Sequence, residues 1–415
     1  MYELLTLPNG VRIISEPMEA VRSASVGIWV AAGSRCEKRE EGGSAHFIEH
    51  MLFKGTTAHS ATALAQEMDA FGGQCNAFTG RNSTCFFARS PDTHLQKSID
   101  ILSEMFFDSL FAEEDVRQER GVILEEIGMY RDSPEDMVSE QLITKCFPGS
   151  LGRPVLGTAK TLAGLTGESL KAFQQREYRP DRVVISLAGS FSDAHIRSLA
   201  ERFSALREQK KTRWKNAAYK SAYVLKRKAT EQNQLCLCWE GLPQGDERRY
   251  AWQLLSTIFG EGLSSRLFQT VREKYGLCYN INSFTASFEE TGLFGICTAV
   301  NRDTEKQALE LIMSEVRKLL DEGVTDTELH RSRELIKANL LMAEESTASR
   351  MNRNGGSIMQ LGSVRSVDEV TERYDAVTTG EVRELAQSLM RPEKLSFSAV
   401  GRISAEGDYR TILEK

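Results

Sequence analysis

Two imidazoles and a carboxylate fall within five consecutive residues, His46-Phe47-Ile48-Glu49-His50. On a helix, histidines at i and i+4 lie one above the other on a single face, and Glu49, at i+3 from His46, shares that face. Neutral imidazoles are good zinc ligands. A nearby carboxylate that is not itself a ligand is suited to taking a proton from water. The bland alternative is a surface helix that happens to carry two of the chain's six histidines. Its neighbours argue against that: Phe47, Ile48, Met51, Leu52 and Phe53 make the segment apolar around most of its circumference. It is therefore expected to be buried, and buried polar groups need partners or a metal.

A catalytic zinc takes three protein ligands and leaves one position open, so the two histidines leave one ligand to find. The helix-like stretch 115–127 offers Glu119 and Glu126, seven residues and two turns apart and so on one face, with Val122 and Ile123 near it. Glu125 fits a solvated acidic face better. Spacing leaves Glu126 a candidate ligand and Glu119 a candidate outer carboxylate that orients a ligand histidine.

The elements that must carry these residues recur in the two halves of the chain. In the first, 64–71 reads as a helix ended by Gly72-Gly73, followed by a strand at 74–79, a turn at 80–82 and a returning strand at 83–88. In the second, 267–274 reads as a helix ended by Tyr275-Gly276, with strands at 277–284 and 293–299 around a turn at 289–292. Helical sequence follows at 95–110 and 113–131, and again at 304–322 and 326–342. Each half closes on a strand, 182–188 and 395–400. The chain also opens on two strands around Pro8-Asn9-Gly10.

Hairpins with helices grouped between them predict an α+β protein of two homologous domains, each a mainly antiparallel sheet with helices packed on one face. The expected divisions are 1–206, a basic linker over 207–222, and 223–415. The second half has no counterpart of His46, Glu49 and His50. Phe259–Ser265 stands at the matching distance, so one half alone can hold the metal.

The 58 acidic and 52 basic residues leave a net charge of −6, not the basic excess that binding to phosphates requires, so no nucleic-acid partner is expected. No apolar run approaches the ~20 residues of a membrane span. The first residues resemble neither a secretory signal nor a transit peptide. The eight cysteines sit mostly in apolar strand-like runs, which suits a reducing compartment. Bacterial cytoplasm is the expected location. Cys236-x-Cys238 lacks a second pair at zinc spacing and reads as two buried thiols.

His46-x-x-Glu49-His50, followed by Glu119-Arg120-x-Val122-Ile123-x-Glu125-Glu126, resembles the pitrilysin/insulinase metallopeptidases, the inverzincins. It is most similar to the mitochondrial processing peptidase branch and its short bacterial relatives. The likeness covers nearly the whole chain, through Leu7-x-Asn9-Gly10-x-Arg12, Gly43-x-Ala45-His46, Phe53-Lys54-Gly55-Thr56, Asn76-Ala77-x-Thr79, Gly152–Thr158 and Ser264–Phe268.

The resemblance implies a zinc endopeptidase acting on unfolded peptides or small polypeptides. It implies one Zn²⁺ per chain on His46, His50 and Glu126, with Glu49 as general base and Glu119 as supporting carboxylate. It implies two domains facing each other like a clam shell around a chamber, the second contributing Arg272 and Tyr279 as donors to the substrate carbonyl. Strand 74–79 is expected to take the substrate backbone as an added strand at Asn76 and Ala77. A homodimer is expected, with a heterodimer with a paralogue as the alternative. The competing reading is a noncatalytic partner or scaffold subunit of the same fold, against which the intact motif, Arg272 and Tyr279 all argue.

Overall fold

The computed structural model describes residues 2–209, 214 and 216–414. They form two compact units. The first takes the chain up to Ile127, the described part of 153–215, and Leu341–Val364; the second takes Gly128–Gly152, 216–340 and 365–414.

The first unit is built on six strands: β1 (Glu3–Thr6), β2 (Arg12–Pro17), β3 (Ser23–Val30), β4 (Gln74–Thr79), β5 (Thr84–Pro91) and β6 (Val183–Gly189). Their order across the sheet is β1-β2-β6-β3-β5-β4, and only β2 and β6 run parallel. The central strands do not alternate apolar and polar. All seven residues of β6, Val-Val-Ile-Ser-Leu-Ala-Gly, are buried, because both faces of the sheet are covered.

On one face Val26, Ile28, Phe86, Ile185 and Leu187 share a core with helices Ser44–Met51 and Leu95–Asp108. On the other, Ile14, Trp29, Cys85 and Val184 pack with Ile358 of helix Thr347–Leu361. This helix is contributed by the second half of the sequence and lies close against the strands. A Cβ on Gly355 would stand 2.3 Å from Nε1 of Trp29. Buried Glu16 accepts from Asn354 at 2.6 Å, Arg350 at 2.7 Å and Arg353 at 3.0 Å. Gly355→Val is expected to destabilise the protein by about 1–3 kcal/mol through overpacking. The check is a lowered urea midpoint at unchanged m-value; an unchanged midpoint would mean that the buried indole yields.

The second unit is built on β7 (Tyr223–Arg227), β8 (Gln232–Gly241), β9 (Cys278–Ser287), β10 (Gly292–Asn301) and β11 (Ser396–Gly401). Their order is β7-β11-β8-β10-β9, with β7 and β11 parallel. Leu235, Leu237, Phe294, Ile296 and Phe397 face helices Arg249–Gly260, Glu305–Glu322 and Thr379–Leu389. The opposite face, with Cys236, Cys238 and Val400, is covered by Val138, Leu142 and Cys146 of helix Pro134–Cys146, which belongs to the first half of the sequence. All eight cysteines are free thiols.

Both sheets are thus the mainly antiparallel α+β layers that the hairpin pattern predicts. One further helix covers the second face of each.

The repeat is visible in the backbone. Gly72 and Gly276 both adopt the left-handed conformation, at φ of 64° and 63°, and hairpins β4–β5 and β9–β10 follow them. The stretch read as a helix at 267–274 is helical, and over Phe268–Lys274 it takes the π form, with the Leu277 N–H bonded to the Val271 carbonyl at 3.1 Å. Such a widened turn leaves no mark on a 3.6-residue apolar period. Just before it, Arg266 pairs with both oxygens of Glu328, at 2.7 and 2.8 Å. Of the stretch expected as a linker, 207–222, residues 210–213 and 215 lie outside the described residues. Tyr219 within it is hydrogen-bonded to Ser396 at 2.6 Å. Among the described residues no helix is long and apolar enough to cross a membrane.

Candidate metal and catalytic site

The short helix Ser44–Met51 is held by its apolar side. Phe47, Ile48, Met51 and the following Leu52 are buried in the core of the first unit. That leaves His46, Glu49 and His50 on the remaining face. The helix start is clamped by Glu37, a buried carboxylate that accepts from the N–H groups of Gly43 and Ala45, both at 2.9 Å. These are orphan donors of a helix N-terminus, where the dipole also favours negative charge. Burial nonetheless pushes the Glu37 carboxyl up to about 8, against those two bonds.

Helix Glu113–Asp132 is held in the same way. Val116, Ile123 and Ile127 enter the core, and Glu119 falls on their stripe, only 3% exposed. Glu126 is half-buried, whereas Glu125 is exposed. Glu126 brings Oε2 to 3.6 Å from His46 Nε2 and 3.8 Å from His50 Nε2. One ligand atom from each of the three residues lies within 4.8 Å of the others, and this is the single such group among the described residues.

Tetrahedral zinc, with bonds of about 2.0–2.1 Å, sets its donors about 3.4 Å apart. The spacing and the two-imidazole, one-carboxylate donor set therefore fit zinc. Glu119 Oε2 stands 3.0 Å from His50 Nδ1, so Nδ1 carries the proton and the Nε2 lone pair faces the other two donors. The second oxygen of Glu119 pairs with Lys54 Nζ at 2.6 Å. His46 Nδ1 is buried with no such partner among the described residues.

The electrostatics suit a ligand set. Burial drives the His46 imidazole down to about 3, and His50 beside it adds to the effect, so His46 is neutral with a lone pair to offer. Burial raises Glu126, with His50 opposing. Burial also raises Glu49, with His50 opposing and Glu126 reinforcing it. Oε2 of Glu49 is buried without a hydrogen-bond partner.

Asn76 and Ala77 lie on β4, the edge strand nearest the motif helix. Asn76 is exposed and Ala77 half-buried. Arg272 and Tyr279 lie in the second unit, Arg272 on the π-helix and Tyr279 near the start of β9. The guanidinium carbon is 5.0 Å from the Tyr279 ring centre, and Tyr279 is 79% exposed. The structure thus gathers His46, Glu49, His50, Glu119 and Glu126 in one unit, and Arg272 with Tyr279 in the other. Sequence reasoning did not find Lys54 or Glu37 as neighbours of the site. Lys54 at i+4 from His50 was the one local signal, and nothing local marked Glu37.

The family model for insulinase (peptidase family M16) matches residues 12–159, and that for the peptidase M16 inactive domain matches 164–336. A Bacillus subtilis protein named an uncharacterized zinc protease is 40% identical, over 94% of this chain and 96% of its own. One of the same description from Streptomyces coelicolor is 38% identical, over 95% and 88%. The chain belongs to peptidase family M16. Two solved structures share its fold at 20% identity. A Helicobacter pylori protease has a TM-score of 0.89 over 97% of this chain and 99% of its own. A Pseudomonas fluorescens protein described as a peptidase M16 inactive domain has 0.91 over 98% of both.

Proposed function

We propose that this chain is a zinc-dependent endopeptidase for unfolded peptides or small polypeptides, with one Zn²⁺ held by His46, His50 and Glu126. The observation that carries the reading is the convergence, among the described residues, of three ligand atoms, not four, beside a carboxylate, Glu49, with a buried unpartnered oxygen. A structural zinc is closed by four ligands, whereas a catalytic one keeps a position open. Zinc at this site supplies the Lewis acidity that lets water lose a proton near neutral pH.

Glu49 accepts that proton as water attacks the peptide carbonyl and returns it to the leaving amine nitrogen; its raised pKa strengthens it as a base. Glu119, neutralised by Lys54, fixes the tautomer and ring orientation of His50. Edge strand β4 takes the substrate main chain as an added strand at Asn76 and Ala77. Arg272 and Tyr279 are assigned to the substrate carbonyl oxygen by the family resemblance. A homodimer in the bacterial cytoplasm completes the proposal, with a heterodimer as its variant.

The alternative, a noncatalytic partner subunit, draws support from the inactive-domain match over 164–336. One experiment separates the two. Removal of metal with 1,10-phenanthroline is expected to abolish cleavage of an unfolded polypeptide, and zinc to restore it. Cleavage indifferent to the chelator, or a protein that takes up no zinc, would refute the proposal.

A further inference from the structure

We propose that Cys236 and Cys297 are a paired-thiol modification site, which a peroxide closes to a disulfide between β8 and β10. It lies in the second unit and does not depend on the metal site. The two cysteines are register partners on antiparallel strands, so their side chains leave the same face of the sheet at the same level. Among the described residues no other two cysteines stand opposite each other. Cys238 is opposite Gly295 and Ser396, Cys75 opposite Ala88, Cys85 opposite Trp29 and Phe78, and Cys278 opposite Val300.

Antiparallel partners are of two kinds, and the backbone bonds decide which kind this is. The Phe397 N–H on β11 bonds to the Ala222 carbonyl at 2.9 Å, away from β8. Its neighbours Ser396 and Ser398 therefore direct their backbone groups at β8, where their partners are Cys238 and Cys236. Cys236 is thus bonded to β11, and toward β10 it is a non-hydrogen-bonded partner. The other side agrees. The Phe288 N–H bonds to the Thr291 carbonyl at 2.8 Å, closing the β9–β10 hairpin. Counting in twos along the register from there makes Cys297 and Asn282 a bonded pair on β9, so Cys297 is not bonded to β8.

Non-hydrogen-bonded partners have Cα atoms about 4.5 Å apart, inside the span of about 4.4–6.8 Å that a disulfide needs. The Cys236 sulfur also leans the right way. It is 3.9 Å from the Leu237 carbonyl oxygen, and Leu237, one residue along, directs its backbone groups to β10. Cys146, from the helix over this face, is engaged elsewhere: its thiol donates to Ser396 Oγ at 3.3 Å.

Cys236 is buried and Cys297 half-buried, so Cys297 meets the oxidant first. Its sulfur attacks one peroxide oxygen and the O–O bond breaks. The departing hydroxide takes the thiol proton as water, and a sulfenic acid remains. The Cys236 sulfur then attacks that of Cys297, the S–O bond breaks, and hydroxide leaves with the Cys236 proton as a second water. Two thiols are oxidised to one disulfide and one peroxide is reduced to two waters. Exchange with a thiol reductant reverses the change.

The test treats the full chain, reduced and then freed of reductant, with hydrogen peroxide before denaturation and alkylation. Free thiols are expected to fall from eight to six, and the mass before alkylation to fall by two hydrogens. Dithiothreitol should restore both. Cys297→Ser should lose no thiol, and Cys236→Ser should form no bridge and leave a sulfenic acid on Cys297 that dimedone traps. Cys146→Ser and Cys238→Ser should still lose two thiols. A count that stays at eight, a gain of oxygen in place of the loss of hydrogen, or a bridge mapped to Cys146 and Cys238 would each overturn the inference. So would a bridge that persists in Cys297→Ser.

Discussion

The Glu49→Gln protein is expected to bind zinc as the wild type does and to cleave peptides at least about 10³-fold more slowly, within the range that general acid–base catalysis contributes. Glutamine keeps the length and planarity of the side chain, so the geometry survives. What is lost is the ability to hold a proton between the attack of water and the departure of the amine. Zinc should be retained because the three converging donors belong to His46, His50 and Glu126. Two measurements decide: zinc per chain by atomic emission, and kcat at saturating peptide. Turnover within tenfold of wild type would place the base elsewhere, and loss of zinc would make Glu49 a ligand.

The second large effect belongs to Glu126. Glu126→Gln replaces a charged donor by a weak neutral one, and zinc affinity is expected to fall by more than the about 10–100-fold that loss of an outer partner costs. Activity should disappear with it. Two companions grade the result. Glu119→Ala should show that outer-partner loss, since it strips His50 Nδ1 of its acceptor at 3.0 Å. Glu125→Gln should change neither metal nor rate, since Glu125 is exposed one position from the candidate ligand Glu126. Zinc titrations of the three proteins give the order directly. If Glu125→Gln loses zinc and Glu126→Gln does not, the ligand assignment is wrong by one residue.

Much of the site was legible because it is local. His46, Glu49 and His50 share a face by helical arithmetic, and Glu119 and Glu126 share another. Their grouping follows once each helix buries its apolar stripe, Phe47-Ile48-Met51 in one and Val116-Ile123-Ile127 in the other. The hairpins after Gly72 and Gly276 were legible for the same reason, since a helix stop and a period-two strand are written in adjacent residues. The π-helix before Tyr279 was not, because an inserted backbone turn leaves the residue pattern unchanged.

By itself the sequence determined the chemistry available: two imidazoles and a free carboxylate on one short buried helix, two acids on another, and a hairpin repeated with the motif in one half only. The tertiary structure decided which partners complete those groups. Lys54 on Glu119 and Glu37 on the helix start are fixed by where the elements come to rest. It also decided that helix Thr347–Leu361 covers the first sheet and helix Pro134–Cys146 the second. An apolar period records that a face will be buried and carries no label for the surface that buries it. That choice is made by shape and close contact, here Gly355 against Trp29, between residues hundreds of positions apart.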